Sequence, residues 1–206
     1  MWLTIKAAPC YNRQKLHKEE FNLKKLTIRE MVPVALFAAL TAVMAQISIP
    51  VGFIPVPITG QTLAVMLAGA LLGARLGAFS QLIYILLGAV GLPVFAQGRA
   101  GLGVLLGPTG GFLFGFILGA YTIGKLLERR PKPSLSYLLF AIATGGIAVI
   151  YLPGVLQLSV VTGMVLPAAL GAMWPFIPGD ILKVIVSAVI VRAMLDRNLT
   201  ASLQLK

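Results

Sequence analysis

The sequence predicts an all-α integral membrane protein with six transmembrane helices and both termini in the cytosol. Three observations predict it. Charged residues make up 11% of the 206-residue chain and hydrophobic residues 58%, with a mean hydropathy of +0.94. A water-soluble domain carries roughly 25% charged residues, because its surface must be wetted. The stretches 31–74, 76–98, 100–124 and 134–179 contain no Asp, Glu, Lys or Arg, and a helix crosses a bilayer core with about 20 apolar residues. The basic residues, finally, fall almost entirely on one side of a six-span arrangement.

The elements follow in chain order. The first stretch is long enough for two helices, and Pro50, Gly52, Pro55 and Pro57 divide it. That places helices near 31–49 and 60–74. The next runs give single spans near 77–95 and 105–126. The last run gives spans near 136–158 and 175–195, with an uncharged loop over about 159–174 that could hold an interfacial helix. Parity decides against a seventh span, which would export the basic tail. With six, one side collects the N-terminal arm from Lys6 to Arg29, Arg75, the cluster Lys125, Arg129, Arg130 and Lys132, and the tail with Arg192, Arg197 and Lys206. Excess Lys and Arg mark the cytosolic side. Only Arg99 and Lys183 lie elsewhere.

Residues 1–30 are expected to form a basic cytosolic arm on anionic lipid headgroups, 31–196 the membrane domain, and 197–206 a cytosolic tail. The arm has no early apolar core ending at a cleavage site, as a secretory signal would. The net charge of +11 is thus accounted for by membrane topology, and no nucleic-acid partner is expected. One cysteine, Cys10, and one histidine, His17, both in the arm, exclude a disulfide within the chain and a Cys/His metal cage. No G-x-x-x-x-G-K-[ST] loop is present, so the chain does not hydrolyse ATP by that chemistry. No cofactor is called for. Enzymes in membranes generally use clustered carboxylates, histidines or a nucleophile–base pair, and the spans offer none of these.

Small residues recur at helical spacing. Gly69, Gly73 and Gly77 form one ladder and Gly111, Gly115 and Gly119 another. In lipid, helices associate through close backbone approach, which small residues permit. The glycine ladders are read as packing within the chain. Ala35, Ala38, Ala39 and Ala42 on the first helix fit either internal packing or a docking face for another membrane protein.

Asp180 and Lys183 are the acid and base inside a predicted span. Charges there cost about 2.5–3.5 kcal/mol each on insertion scales unless paired or facing water. Three residues apart, they share one helix face. Counted from Trp174, they would lie roughly 9 and 13 Å below the outer interface. The pair suits a small ligand with both donors and acceptors. Two outer loops could complete such a site. The first runs from Val51 to Gln61, with Ile54, Pro55, Val56 and Pro57 forming an extended lid. The second runs from Gly91 through Gln97 and Arg99 to Gly111 and Phe112. Irregular backbone at membrane depth is tolerated where it is buried or lines a cavity, and Arg99 could attract an anion.

Three runs then make the chain recognisable: Phe53-Ile54-Pro55-Val56-Pro57-Ile58 with Gln61; Gly91-Leu92-Pro93-Val94-Phe95-Ala96 leading to Gly107-Pro108-Thr109-Gly110-Gly111; and Phe176-Ile177-Pro178-Gly179-Asp180 with Lys183. In this order, over about residues 26–195, they resemble the BioY biotin transporter family, the substrate-binding (S) components of energy-coupling factor transporters. The resemblance implies biotin uptake across the plasma membrane, with a transmembrane T component and two cytosolic ATPase subunits as partners. Some family members are thought to act alone, and sister families bind other vitamins. It implies ligand contacts from Asp180, Lys183 and the 3–4 loop at Arg99, with Gln97, Gln61 and Phe112 completing the candidate set. Arg99 stands where some members carry an Asn-like residue, and Phe112 where Tyr is frequent. The alanine stripe matches the face that S components turn toward the T component.

Overall fold

The computed structural model describes residues 27–52, 54–130 and 132–197. The predicted arm up to residue 26, Phe53 of the first motif, and the tail beyond residue 197 lie outside the described residues.

Helix α1 spans Ile28–Gln46. It starts where Thr27 N donates to the Glu30 carboxylate at 2.8 Å, an arrangement that satisfies an otherwise unpaired helix-start donor. It begins and ends three residues before the predicted 31–49, because the chain beyond it enters a ribbon. Strands β1 (Ser48–Ile49) and β2 (Ile58–Thr59) pair antiparallel, Ser48 opposite Thr59 and Ile49 opposite Ile58. The all-α expectation missed this pair. Prolines at 50, 55 and 57 hold the intervening chain extended, and the ribbon closes the backbone bonds that a helix would have satisfied.

Helix α2 spans Gln61–Ala89 as two arms that meet at Gly73, corresponding to the two predicted helices at 60–74 and 77–95, with the second arm ending at Ala89. It is not straight. Gly73 sits at φ 82°, ψ −179°, a conformation that a side chain would resist. Beyond it the chain folds back: a Cβ at Gly77 would lie 2.9 Å from the Ala68 carbonyl oxygen and 3.0 Å from Gly69 Cα. In a straight helix residues 69 and 77 would stand about 12 Å apart. The second arm gains an acid at its start, because Ala74 N donates to Glu128 Oε1 at 2.9 Å. An anionic acceptor at a helix N-terminus is favourable. A buried polar knot ties this arm to α1. Gln81 Nε2 donates to Thr41 Oγ1 at 3.2 Å and to Ser80 Oγ at 3.1 Å, and Ser80 Oγ donates to the Gly77 carbonyl at 2.7 Å.

The predicted span near 105–126 resolves into a short α3 (Leu102–Leu106) and α4 (Gly110–Glu128), separated at Gly107-Pro108. The predicted span near 136–158 is α5 (Leu135–Ala143), a π-helical turn (Thr144–Val149) and α6 (Ile150–Thr162) in continuous succession. A left-handed Gly163 at φ 72° ends α6. The expected uncharged loop holds a short α7 (Leu166–Gly171), and a 3-10 turn (Trp174–Phe176) leads into α8 (Ile177–Asp196).

Helix α4 is the axis of the bundle, in contact with α2, α5, the π turn and α6. Its glycine ladder makes that possible. A Cβ at Gly115 would stand 2.7 Å from the Ile150 carbonyl oxygen, and one at Gly119 would stand 2.7 Å from that of Gly145. Gly69 of α2 likewise faces Ala120 and Ile123 of α4. The Gly111–Gly115–Gly119 ladder and, of the other, Gly69 and Gly77 therefore serve packing within the chain, while Gly73 makes the turn. Five helical segments are long and apolar enough to cross a membrane among the described residues: Ile28–Gln46, Gln61–Ala89, Gly110–Glu128, Leu135–Thr162 and Leu166–Asp196. Arg192 Nη1 donates to the Pro133 carbonyl at 3.3 Å, Arg130 lies 4.6 Å over the Tyr137 ring, and Lys125 pairs with Glu128 at 3.7 Å. These basic residues gather at the end where Gly73 turns the chain. The ribbon and the second loop lie at the opposite end.

Candidate ligand-binding site

At the ribbon end the bundle forms a cavity that opens at the protein surface, with about 700 Å³ of empty space when its open mouth is included. The starts of α2, α4, α6 and α8 supply its walls. The ribbon loop and the second loop supply its rim. All six residues expected to contact a ligand line it: Asp180, Lys183, Arg99, Gln97, Gln61 and Phe112.

The polar centre is built on the first turns of α8. Pro178 is tolerated there because the first helical N–H groups need no intrahelical acceptor. Asp180 follows within that turn, where the helix dipole favours an anion. Lys183 Nζ donates to Asp180 Oδ1 at 2.9 Å, and the side chains are 17% and 4% exposed, respectively. Lys183 also donates to Thr62 Oγ1 at 2.9 Å, while Thr62 Oγ1 donates to Asp180 Oδ1 at 3.2 Å. The Tyr151 hydroxyl donates to Asp180 Oδ2. Both carboxylate oxygens thus have partners. The ammonium has a third hydrogen beyond the two used here, and its residue lines the cavity. The cluster is a partly buried, charge-neutral set of donors and acceptors around the buried Asp180 carboxylate, which a polar ligand can enter by exchanging partners.

Sequence reasoning missed Tyr151 and Thr62. Tyr151 left one signal, a phenol inside a predicted span, since a buried tyrosine hydroxyl normally finds a partner. Thr62 left none, because threonine is unremarkable at the start of an apolar helix. The Tyr151 ring meets Phe112 edge-on, with centroids 6.1 Å apart and an interplanar angle of 82°. Phe112 therefore forms an apolar wall next to the carboxylate.

The rim is held in place by specific bonds. Ile54 and Val56 are buried in a cluster with Val155, Leu158, Met173 and Phe176, whereas Pro55 between them is exposed. Val56 and Pro57 line the cavity, so the extended loop lies across it, pinned by alternate side chains. In the second loop Gly91, Gly98 and Gly101 take positive φ, and so does Gln97 at φ 62°. A non-glycine residue there costs about 1–2 kcal/mol, and the turn brings Gln97 and Arg99, both exposed, to the mouth. Gln157 Nε2 donates to the Leu105 and Gly107 carbonyls, each at 2.8 Å, fixing the loop's far end to α6.

The alanine stripe divides. Ala35 and Ala39 are exposed and Ala42 is half-buried. Ala38 is 2% exposed and packs inside the bundle. It lies at the edge of the stripe that the bundle covers, so its side chain is not part of the exposed face expected for docking.

Comparison with known proteins shows the family. The BioY family matches residues 17–199. The chain belongs to the BioY family. A relative from Rhizobium etli, the biotin transporter BioY, is 44% identical over 177 residues, covering 82% of this chain and 95% of the relative. The biotin transporter BioY of Thermotoga maritima is 43% identical over 163 residues, covering 79% and 94%. A crystal structure of the S-component for biotin from an ECF-type ABC transporter superposes with a TM-score of 0.77 at 30% identity, covering 90% of this chain and 94% of that one. BioY proteins are transporters and not enzymes, and this chain is accordingly a multi-pass membrane protein.

The buried cluster makes a stability prediction. Lys183→Met or Asp180→Asn alone leaves its partner's hydrogen bonds or charge uncompensated. Breaking a fully buried pair costs about 3–5 kcal/mol, and a smaller loss is expected here because Lys183 lines the open cavity. The double variant should recover much of that loss. Thermal melting of the purified variants in detergent checks this: two destabilised singles and a rescued double are expected, whereas additive losses would mean that the pair is not coupled.

Proposed function

We propose that this chain is the biotin-binding subunit of an energy-coupling factor transporter for biotin uptake. The observation that carries the reading is the partly buried Asp180–Lys183–Thr62–Tyr151 cluster at the base of the open cavity. Family membership and relatives described as biotin transporters support it further. Biotin has a ureido group with two N–H donors and a carbonyl acceptor, and a carboxylate on an apolar tail. A carboxylate takes N–H hydrogens, while an ammonium donates to a carbonyl or pairs with a carboxylate. Asp180 and Lys183 are the principal contacts in this reading, with Arg99 and Gln97 at the mouth. Phe112, Val56 and Pro57 form apolar walls, and Gln61 forms part of the wall beside the lid. Ile54 and Pro55 belong to that lid with Val56 and Pro57, and it opens to admit ligand.

In the same reading the two arms of α2 each cross the membrane, which brings the number of spans to six. The basic end, with Arg75, Lys125, Arg129, Arg130 and Arg192, faces the cytosol by the positive-inside rule. The arm at 1–30 and the tail at 197–206 lie on that side, and the cavity opens outward. ATP hydrolysis by two partner subunits, coupled through a membrane-embedded T component, reorients the whole loaded subunit, with its 31–196 membrane domain, toward the cytosol. The exposed Ala35 and Ala39, with Ala42 beside them, form the docking face.

Equilibrium titration of the purified chain with biotin and with other vitamins tests the reading. Saturable binding of biotin in preference to the others is expected. Preference for another vitamin would overturn the ligand assignment while leaving the transporter class.

Docking has its own test. Ala35→Trp with Ala39→Trp should leave biotin affinity unchanged, because both lie on the exposed face of α1 and neither lines the cavity. The double variant should lose co-purification with the T component and ATPases, since bulky groups prevent close helix approach. Retained assembly would remove the docking role from this face.

A further inference from the structure

We infer that Gln61 and Tyr84 form a positioning relay that ties the ribbon to the second loop, so that the two rims of the cavity order and release together. For its affinity arm alone, this inference rests on the biotin-binding reading.

The relay is a continuous chain of hydrogen bonds. Thr59, the last residue of β2, donates from Oγ1 to Gln61 Oε1 at 3.0 Å. Gln61 Nε2 donates to the Tyr84 hydroxyl. The Tyr84 hydroxyl donates in turn to the Val94 carbonyl oxygen at 3.1 Å, within the loop that carries Gln97 and Arg99. Tyr84 is fully buried and Gln61 is 4% exposed. The Phe95 ring stands edge-on to Tyr84 at 5.6 Å, with an interplanar angle of 84°, so the next residue of the loop is packed on the same phenol.

Burial is what turns these bonds into a coupling. An exposed amide that loses its partner bonds water. A buried one is left with the desolvation penalty of an unpaired polar group. If the ribbon lifts, Thr59 leaves Gln61 Oε1 unpaired. If the second loop lifts, Val94 withdraws from Tyr84. Either displacement weakens the bonds that hold the other rim, because hydrogen bonds in a chain at low dielectric reinforce one another. The Gln61 carbonyl and one amide hydrogen are already engaged with protein, so its chief contribution to the site is to orient both rims.

Hydrogen–deuterium exchange on the full chain reads the relay without any ligand. Gln61→Leu should speed exchange across 92–101, a segment to which Gln61 makes no direct bond. Tyr84→Phe keeps the ring against Phe95 and should speed exchange across 48–60, to which Tyr84 makes no direct bond. Wild-type protection of the remote rim in either folded variant overturns the relay. Should Gln61→Leu fail to fold, the Tyr84→Phe result decides alone. Biotin titration adds the second arm. Each single variant should bind about tenfold more weakly, the size of one lost hydrogen bond, and the double variant should lose about the same tenfold. A hundredfold loss in the double would show two independent bonds and overturn the coupling. If wild-type chain binds no biotin, the function reading fails, and the exchange result still judges the relay.

Discussion

The ion pair between Asp180 and Lys183 is the constraint around which the cavity end of this protein is built. Two opposite charges on adjacent turns of an apolar helix are tolerated in a bilayer protein only when each has a partner and a complete set of hydrogen bonds. Asp180 has four functional neighbours here: its helix start, Lys183, Thr62 and Tyr151. Those side chains come from α8, α2 and α6, so satisfying one carboxylate brings three helices to a common point. The same point opens into the cavity. A polar centre surrounded by Phe112, Phe116 and Ile150 is stable while closed on itself and receptive to a ligand of matching donors and acceptors.

Glycine makes the approach of those helices possible. Hydrophobic burial does not drive association between helices in lipid, so contact area and backbone proximity must do it. α4 has Gly111, Gly115 and Gly119 along the face toward the π turn and α6, while Gly69 of α2 meets it on another side. Gly73 solves a different problem, reversing the chain inside a run with no polar loop. Its positive φ makes the turn, and Glu128 from α4 supplies the acceptor that the second arm's first amide lacks. The membrane-facing surface needs no such detail and is exposed leucine, valine and isoleucine.

Much of this was legible in the sequence, for identifiable reasons. Charge poverty and uncharged runs report lipid exposure directly, so the helical class and the approximate spans follow from composition. Asp180 and Lys183 were conspicuous because charge is rare in such runs, and the loop residues Gln97, Arg99, Gln61 and Phe112 followed from motif order. Other features were not visible. The ribbon at Ser48–Ile49 and Ile58–Thr59 is two residues per strand, too short for any periodicity to register. The break between the second and third predicted helices was legible near Arg75, but that Gly73 makes the turn depends on a single backbone angle. Ala38 is buried while Ala35 and Ala39 are exposed, which depends on which edge of the stripe the bundle covers and is not reported by spacing. Thr62 and Tyr84 act through partners far along the chain, which no local pattern reports.

The central claim is that the Asp180 cluster is the place where biotin is held. The most direct measurement is an experimental structure of the purified chain with biotin bound. The account predicts ligand density inside the cavity between the Asp180–Lys183 pair and the Arg99 rim, with at least one of the pair's present hydrogen bonds exchanged for a bond to the ligand. Density at any other place, or biotin in the cavity with no polar contact to Asp180 or Lys183, would contradict it.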